Sequence, residues 1–118
     1  MKILAFSTAL AIAPFATFAD PAVVEGATAQ KSGDRWTISV TLSHGDTGWD
    51  DYADGWRVLD PDGTELGLRV LVHPHVTEQP FTRSQSGITI PDGLDHVLIE
   101  ARTLPEGWGG ERFILELP

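Results

Sequence analysis

A strict alternation of apolar and polar residues constrains the fold of this chain more than any other feature of its sequence. Between residues 35 and 42 an apolar side chain stands at every second position: Trp36, Ile38, Val40 and Leu42. A period of two places these side chains on one face of an extended strand and the intervening polar ones on the other. The pattern therefore predicts a strand of an antiparallel sheet with one buried face and one solvated face.

Six further segments are predicted to be strands, and no helical period of useful length appears. They span residues 23–28, 56–60, 65–72, 86–90, 96–102 and 113–117. Turn signals rich in Gly, Pro and Asp separate several of them, such as Pro61-Asp62-Gly63-Thr64. About seven short strands with turns between them predict an all-β, antiparallel β-sandwich that is immunoglobulin-like or fibronectin type III-like. A Trp in the second strand, here Trp36, is common in the fibronectin type III-like sandwiches, where it packs in the core.

The N-terminal residues have the pattern of a secretory signal peptide. Lys2 precedes an apolar run over residues 3–13, and Thr17 and Ala19 put small residues at positions −3 and −1 of a cut before Asp20. The run is too short to span a membrane, and no Cys follows the cut, so no lipid anchor is predicted. We expect a periplasmic or secreted protein with a signal peptide at residues 1–19 and a single domain at residues 20–118.

Composition narrows the classes of partner and chemistry. Seventeen acidic residues against eight basic ones give a net charge of −9, which argues against nucleic acids and anionic membranes as partners. The chain has no Cys, and its single Met is Met1. Thiolate metal centres, iron–sulfur clusters, Cys nucleophiles and redox dithiols are therefore excluded for the predicted mature protein.

The order of the predicted strands collects the unusual residues at one end of the sandwich. When successive strands run up and down, alternate connections lie at the same pole. The connections at residues 44–55, 73–84 and 104–110 should therefore meet. Since binding residues usually lie in loops on a rigid scaffold, we expect the functional site at this pole.

Histidines in two of these connections suggest a metal site. In His73-Pro74-His75 the two imidazoles lie two residues apart, and on an extended segment they point to the same side. With His44 as a third ligand and Glu78 as a fourth, they can bind Zn²⁺ or Cu²⁺. The alternative is structural, with the imidazoles hydrogen-bonded to loop carbonyls or to carboxylates.

The segment HGDTGWDDYADGW, residues 44–56, combines carboxylates with aromatic rings. Asp46, Asp50 and Asp54 recur every four residues, so a short helical turn would put them on one face, with Trp49 and Tyr52 on another. Asp46 then caps the turn, the aromatic pair covers the end of the core, and Asp50 or Asp54 pairs with Arg57 or Arg83.

The alternative for these aromatic residues is an exposed binding platform for a peptide or a sugar ring. Trp49, Tyr52 and Trp108 would supply its surface, with Asp50, Asp54 and Arg83 around it. The glycines on both sides of Trp108 also permit it to fold back as a lid over the core.

No pattern of residues indicates an enzyme. Ser43, His44 and Asp46 lie close together, but neighbours on one strand do not form a catalytic relay, and no Gly-x-Ser-x-Gly elbow is present. We therefore expect a non-catalytic exported module that binds a metal ion or an exported protein partner or glycan, or that serves as a structural accessory domain.

Two stretches resemble a group of short exported bacterial proteins. They are GWDDYADGWRVLDPDGTELG and RVLVHPHVTEQPFTRSQSGITIP, which contain the patterns WDxYAD and HPHxxEQPFTRS. The likeness extends over roughly residues 36–117. It implies that the two loops form one unit, but it implies neither a ligand nor a reaction.

Overall fold

A computed structural model describes residues 20–118, so the predicted signal peptide at residues 1–19 lies outside the described residues. This part of the chain forms seven strands: β1 (Val23–Ser32), β2 (Arg35–Ser43), β3 (Tyr52–Leu59), β4 (Glu65–Val70), β5 (Phe81–Ile88), β6 (His96–Leu104) and β7 (Gly107–Glu116). No helix in residues 20–118 is long and apolar enough to cross a membrane.

The strands form two antiparallel sheets that pack face to face. One sheet has the order β1-β2-β5, and the other has the order β4-β3-β6-β7. The predicted all-β sandwich is thus confirmed, with three strands in one layer and four in the other.

The core lies between the inward faces of the two sheets. The alternating residues of β2 point inward, and Trp36 is buried in the core cluster, as the fibronectin type III-like resemblance implies. From the other sheet, Trp56, Val58 and Ile99 are fully buried against them. Each large apolar side chain buried in this way stabilises the fold by about 1.5–3 kcal/mol.

Four strands extend by four or more residues beyond one predicted bound. β1 ends at Ser32 rather than Thr28, β3 begins at Tyr52 rather than Trp56, β5 begins at Phe81 rather than Ser86, and β7 begins at Gly107 rather than Phe113. In β5 the outward positions are polar, and their hydroxyl groups form cross-strand hydrogen bonds: Thr82 with Thr41 at 2.7 Å and Ser84 with Ser39 at 2.6 Å. Polar cross-strand pairs stabilise a sheet without leaving an apolar alternation in the sequence.

The prediction that alternate connections meet at one pole is confirmed. In the loop between β4 and β5, the backbone N–H of His75 donates to the carboxylate of Asp46, which belongs to the loop between β2 and β3. The turn between β6 and β7 lies beside them, because Tyr52 at the start of β3 pairs with Leu104 at the end of β6. We call this end of the sandwich the loop pole.

Candidate functional site at the loop pole

Asp46 joins two loops through a buried carboxylate. Its side chain is fully buried and accepts three hydrogen bonds: from His44 Nδ1 at 2.6 Å, from Ala53 N at 2.9 Å and from His75 N at 2.7 Å. A buried carboxylate needs such donors, because otherwise the loss of hydration is not offset. Asp46 thus ties the start of β3 and the loop between β4 and β5 to the end of β2, and it does not cap a helical turn as predicted.

His44 is a structural partner of this carboxylate. A carboxylate only accepts hydrogen bonds, so His44 Nδ1 carries the proton that it donates to Asp46. The ring is fully buried, and its Nε2 has no hydrogen-bond partner; the nearest acidic oxygen is Asp51 Oδ1 at 3.7 Å. The backbone N–H of His44 donates to Gln79 Oε1, which is a second link between the same two loops.

His75 is also packed as a neutral structural residue. Its ring stacks on Phe81 with a centroid distance of 3.8 Å and an interplanar angle of 9°. Arg83 donates to His75 Nε2 at 3.0 Å, and since a guanidinium has no acceptor, the ring proton is on Nδ1. Burial, followed by the positive charge of Arg83, lowers the pKa of His75 below its usual value of 6.5. The imidazolium is therefore disfavoured in the folded protein.

The predicted metal ligands do not form a common coordination sphere. His73 is exposed and lies beside His75 with ring centroids 4.5 Å apart, as the His-x-His spacing predicts, but its Nδ1 donates to Pro74 O. Glu78 forms an ion pair with Arg83. Among residues 20–118, no group of three or more His, Asp or Glu side chains is arranged to hold a metal ion. Binding of Zn²⁺ or Cu²⁺ stays a prediction that this geometry does not support.

Trp49 is the largest apolar side chain that is exposed at the loop pole. About two thirds of it (64%) is exposed, and its ring meets the ring of Tyr52 edge-on at a centroid distance of 5.7 Å. The turn that carries Trp49 is closed by two backbone hydrogen bonds, from Asp51 N to Gly48 O and from Thr47 N to Asp51 O. Trp49 therefore does not bury itself over the core, and the turn holds it in the solvent.

The predicted arrangement of the loop aspartates is wrong. The segment forms no helical turn; Asp46 is buried, Asp50 is exposed, and Asp54 lies within β3. Asp54 Oδ1 accepts a hydrogen bond from Arg102 Nε at 3.0 Å, rather than pairing with Arg57 or Arg83. These contacts depend on the strand order, which places β6 beside β3.

Trp108 is not a lid on the core, and the contacts of its ring are with guanidinium groups. It lies in β7 on the outer face of the four-stranded sheet, where two guanidinium groups stack on it. Arg57 Cζ lies 4.0 Å and Arg102 Cζ 5.0 Å from its ring centroid. Cation–π contacts of this kind hold the ring flat on the sheet.

Sequence reasoning missed several residues of the loop pole. Gln79 links the loops by accepting from His44 N and donating to His75 O. Leu104, Val72 and Val76 add exposed apolar surface to the connections that meet there. Val72 and Val76 flank the His-Pro-His motif. Apolar residues in an otherwise polar loop were the sequence signal that could have indicated this exposed surface.

The fold and the site together define a two-sheet β-sandwich with an exposed aromatic residue on a loop that a buried carboxylate holds in place. No family model matches the sequence, and no solved structure gives a significant match. Among curated proteins, the chain is similar to a protein named "Putative lipoprotein" from Halomicrobium mukohataei, with 41% identity over 90 residues. The match covers 75% of this chain and 44% of the relative, so the chain spans less than half of that protein's length.

Proposed function

We propose that this protein is an exported module that binds a partner protein through the loop pole, with Trp49 at the centre of the contact. The exposure of Trp49 on an ordered turn is the observation that carries the proposal. Trp is among the residues that most often dominate the energy of protein interfaces. The predicted signal peptide and the similarity to a protein named as a lipoprotein support export.

The order of the loop favours binding because a preorganised surface loses little conformational freedom when a partner docks. Asp46 joins the loop that carries Trp49 to the loop between β4 and β5, and Tyr52 supports the Trp49 ring from the side. The indole is therefore presented in one orientation before binding.

The surroundings of Trp49 favour a protein over a sugar or a metal ion. The other large apolar side chains that are exposed in the neighbouring connections are aliphatic: Val72, Val76 and Leu104. Aliphatic surface adds to the burial that drives protein association. One nitrogen of each loop histidine is engaged, with Asp46, Pro74 or Arg83, and no three His, Asp or Glu side chains among residues 20–118 are arranged to hold a metal ion.

Photo-crosslinking in cells that export the protein tests the proposal. A benzophenone amino acid replaces the exposed Asp50 beside Trp49, and the matched control replaces Asp62 in the turn between β3 and β4 at the opposite pole. We expect discrete protein adducts from position 50 and none of the same size from position 62.

A second variant separates specific binding from chance contact. Trp49→Ala in the position-50 background should remove most of the adduct, since truncating a central interface Trp costs about 2 kcal/mol or more, or roughly 30-fold in affinity. Equal adducts with and without the Trp49→Ala substitution, or the same adducts from both poles, contradict the proposal.

A further inference from the structure

One long side of the sandwich carries a groove. β1 and β7 are edge strands, and a groove of about 530 Å³ lies between Pro21–Val24 and Glu111–Ile114. Val23 and Ile114 are exposed by 51% and 59% along this groove. On the other long side the edges of β4 and β5 are bridged, since Arg69 Nη1 donates to Ser84 O at 2.9 Å.

The backbone of β7 offers unpaired hydrogen-bonding groups to this side. Leu117 N donates to Asp95 O, and Phe113 and Leu115 pair in the same register with β6. Hydrogen-bonded pairs alternate along an antiparallel ladder, so Phe113, Leu115 and Leu117 direct their backbone groups toward β6. The N–H and C=O groups of Ile114 and Glu116, and the C=O group of Arg112, therefore point away from the sheet.

The exposed side chain of Ile114 belongs to an apolar row that crosses the outer face of the sheet. Leu59 pairs with Leu98, and Leu98 pairs with Ile114, whereas the adjacent row, which includes Val58 and Ile99, faces the core. The outer row is buried at Leu59 and exposed at Ile114. An apolar row that ends exposed at an unpaired edge is a typical site of strand addition.

We propose that a second copy of this chain pairs with this edge, with the two β7 strands antiparallel and the two-fold axis at Ile114. In this register Ile114 faces Ile114 of the second copy, and Arg112 faces Glu116 of the second copy on each side of the axis. The outward backbone groups at these three positions then pair with one another. Opposite charges directly across an antiparallel pair are stabilising.

The same pairing places the second copy beside the groove. Phe113 and Leu115 of each copy stay packed against their own core, and the new contacts form on the outer face around Ile114. The two sheets become one eight-stranded layer, and the charge complementarity between Arg112 and Glu116 selects this register. The edge is formed by the last residues of β7, which run away from the loop pole, so the dimer does not depend on the proposed function of Trp49.

Sedimentation of the purified residues 20–118 over a concentration series tests self-association. We expect a reversible dimer for the natural sequence and a monomer for Ile114→Pro, because Pro removes the N–H group that pairs at the axis but is tolerated on a solvent-facing edge. Val70→Lys, an exposed position on the edge strand β4, is the matched control and should leave the dimer intact.

A charge exchange tests the register. Arg112→Glu and Glu116→Arg each place like charges in both cross-strand pairs, so each variant alone should dimerise about tenfold more weakly or worse. An equimolar mixture restores opposite charges in both pairs, and a heterodimer should form with about the affinity of the natural protein. Glu116→Arg touches no ion pair within the described residues, whereas Arg112→Glu also breaks the pair between Arg112 Nε and the buried Glu100 at 3.0 Å. Thermal melting therefore checks that each variant is folded.

Two results overturn the proposal. One is that the natural protein stays monomeric throughout the concentration series. This holds also if its β7 edge binds a segment of a different protein. The other is a dimer that Ile114→Pro leaves unchanged or that the mixture of charge variants does not restore.

Discussion

Among single substitutions at the loop pole, replacement of Asp46 should lower the free energy of unfolding most. Asp46→Ala removes the acceptor of three buried donors: the Nδ1–H of His44 and the backbone N–H groups of Ala53 and His75. Each unsatisfied buried donor costs about 1–3 kcal/mol, and water entering the vacated space offsets part of that. We therefore expect a loss of about 3–5 kcal/mol in the free energy of unfolding.

The size of this loss is a large part of the roughly 5–15 kcal/mol that is typical for the total stability of a domain. Chemical denaturation followed by Trp fluorescence measures it directly. Hydrogen exchange shows which part of the protein is destabilised. The amides of Ala53 and His75 should lose protection, whereas the amide of Ile38 in the core strand β2 should change only with global stability.

Two further variants show whether the reasoning holds. Asp46→Asn retains one acceptor oxygen but turns an amide N–H group toward another donor, so it should cost about 2 kcal/mol. Asp50→Ala, an exposed neighbour, should stay within about 0.5 kcal/mol of the natural protein. A loss below about 1 kcal/mol for Asp46→Ala would show that the three donors find other partners and that Asp46 does not hold the loops.

Three other properties follow from the described contacts. Because burial and the charge of Arg83 hold the pKa of His75 below its unfolded value of 6.5, the native state binds fewer protons than the unfolded state. The stability that this residue contributes should be complete above pH 6.5 and decline as the pH falls through the window just below it, and His75→Phe should remove that dependence in acid-denaturation curves. Iodide should quench one accessible fraction of the Trp emission, and Trp49→Phe should abolish that fraction; quenching that survives would place the exposed indole elsewhere. Gly67→Ala should destabilise the protein by about 1–3 kcal/mol, since a Cβ there lies 3.0 Å from the side chain of Ile88, and a melting temperature equal to that of the natural protein would contradict this.

The structure gives the conspicuous residues of the loop pole different roles. His44 and His75 were predicted to be metal ligands, yet His44 Nδ1 donates to Asp46 and His75 Nε2 accepts from Arg83, so both rings have structural partners. Trp49, which resembles a residue that covers the core, is exposed on a closed turn instead. Rigidity and exposure are thus divided between neighbouring residues, as the proposed binding surface requires.

Local patterns were sufficient where one face of a strand is apolar. The alternation around Ile38 and Val40 predicts β2 correctly, and the turn residues at 61–64 place the reversal between β3 and β4. The start of β3 at Tyr52 and most of β5 were not predicted, because cross-strand hydroxyl and backbone contacts, which a single segment does not contain, hold them in the sheet.

The parity of the strands was enough to bring the three connections to one pole, since in an antiparallel succession direction alone decides at which end a loop lies. Chain order and alternation therefore account for the class of fold and for which loops are neighbours. The partner of each side chain at that pole depends on the order of strands across the sheets. That order puts β6 beside β3, so that Arg102 reaches Asp54, and it leaves Trp108 on the outer face, beneath Arg57 and Arg102. Contacts of this kind join residues that are far apart in the chain, so they are determined only by how the sheets pack.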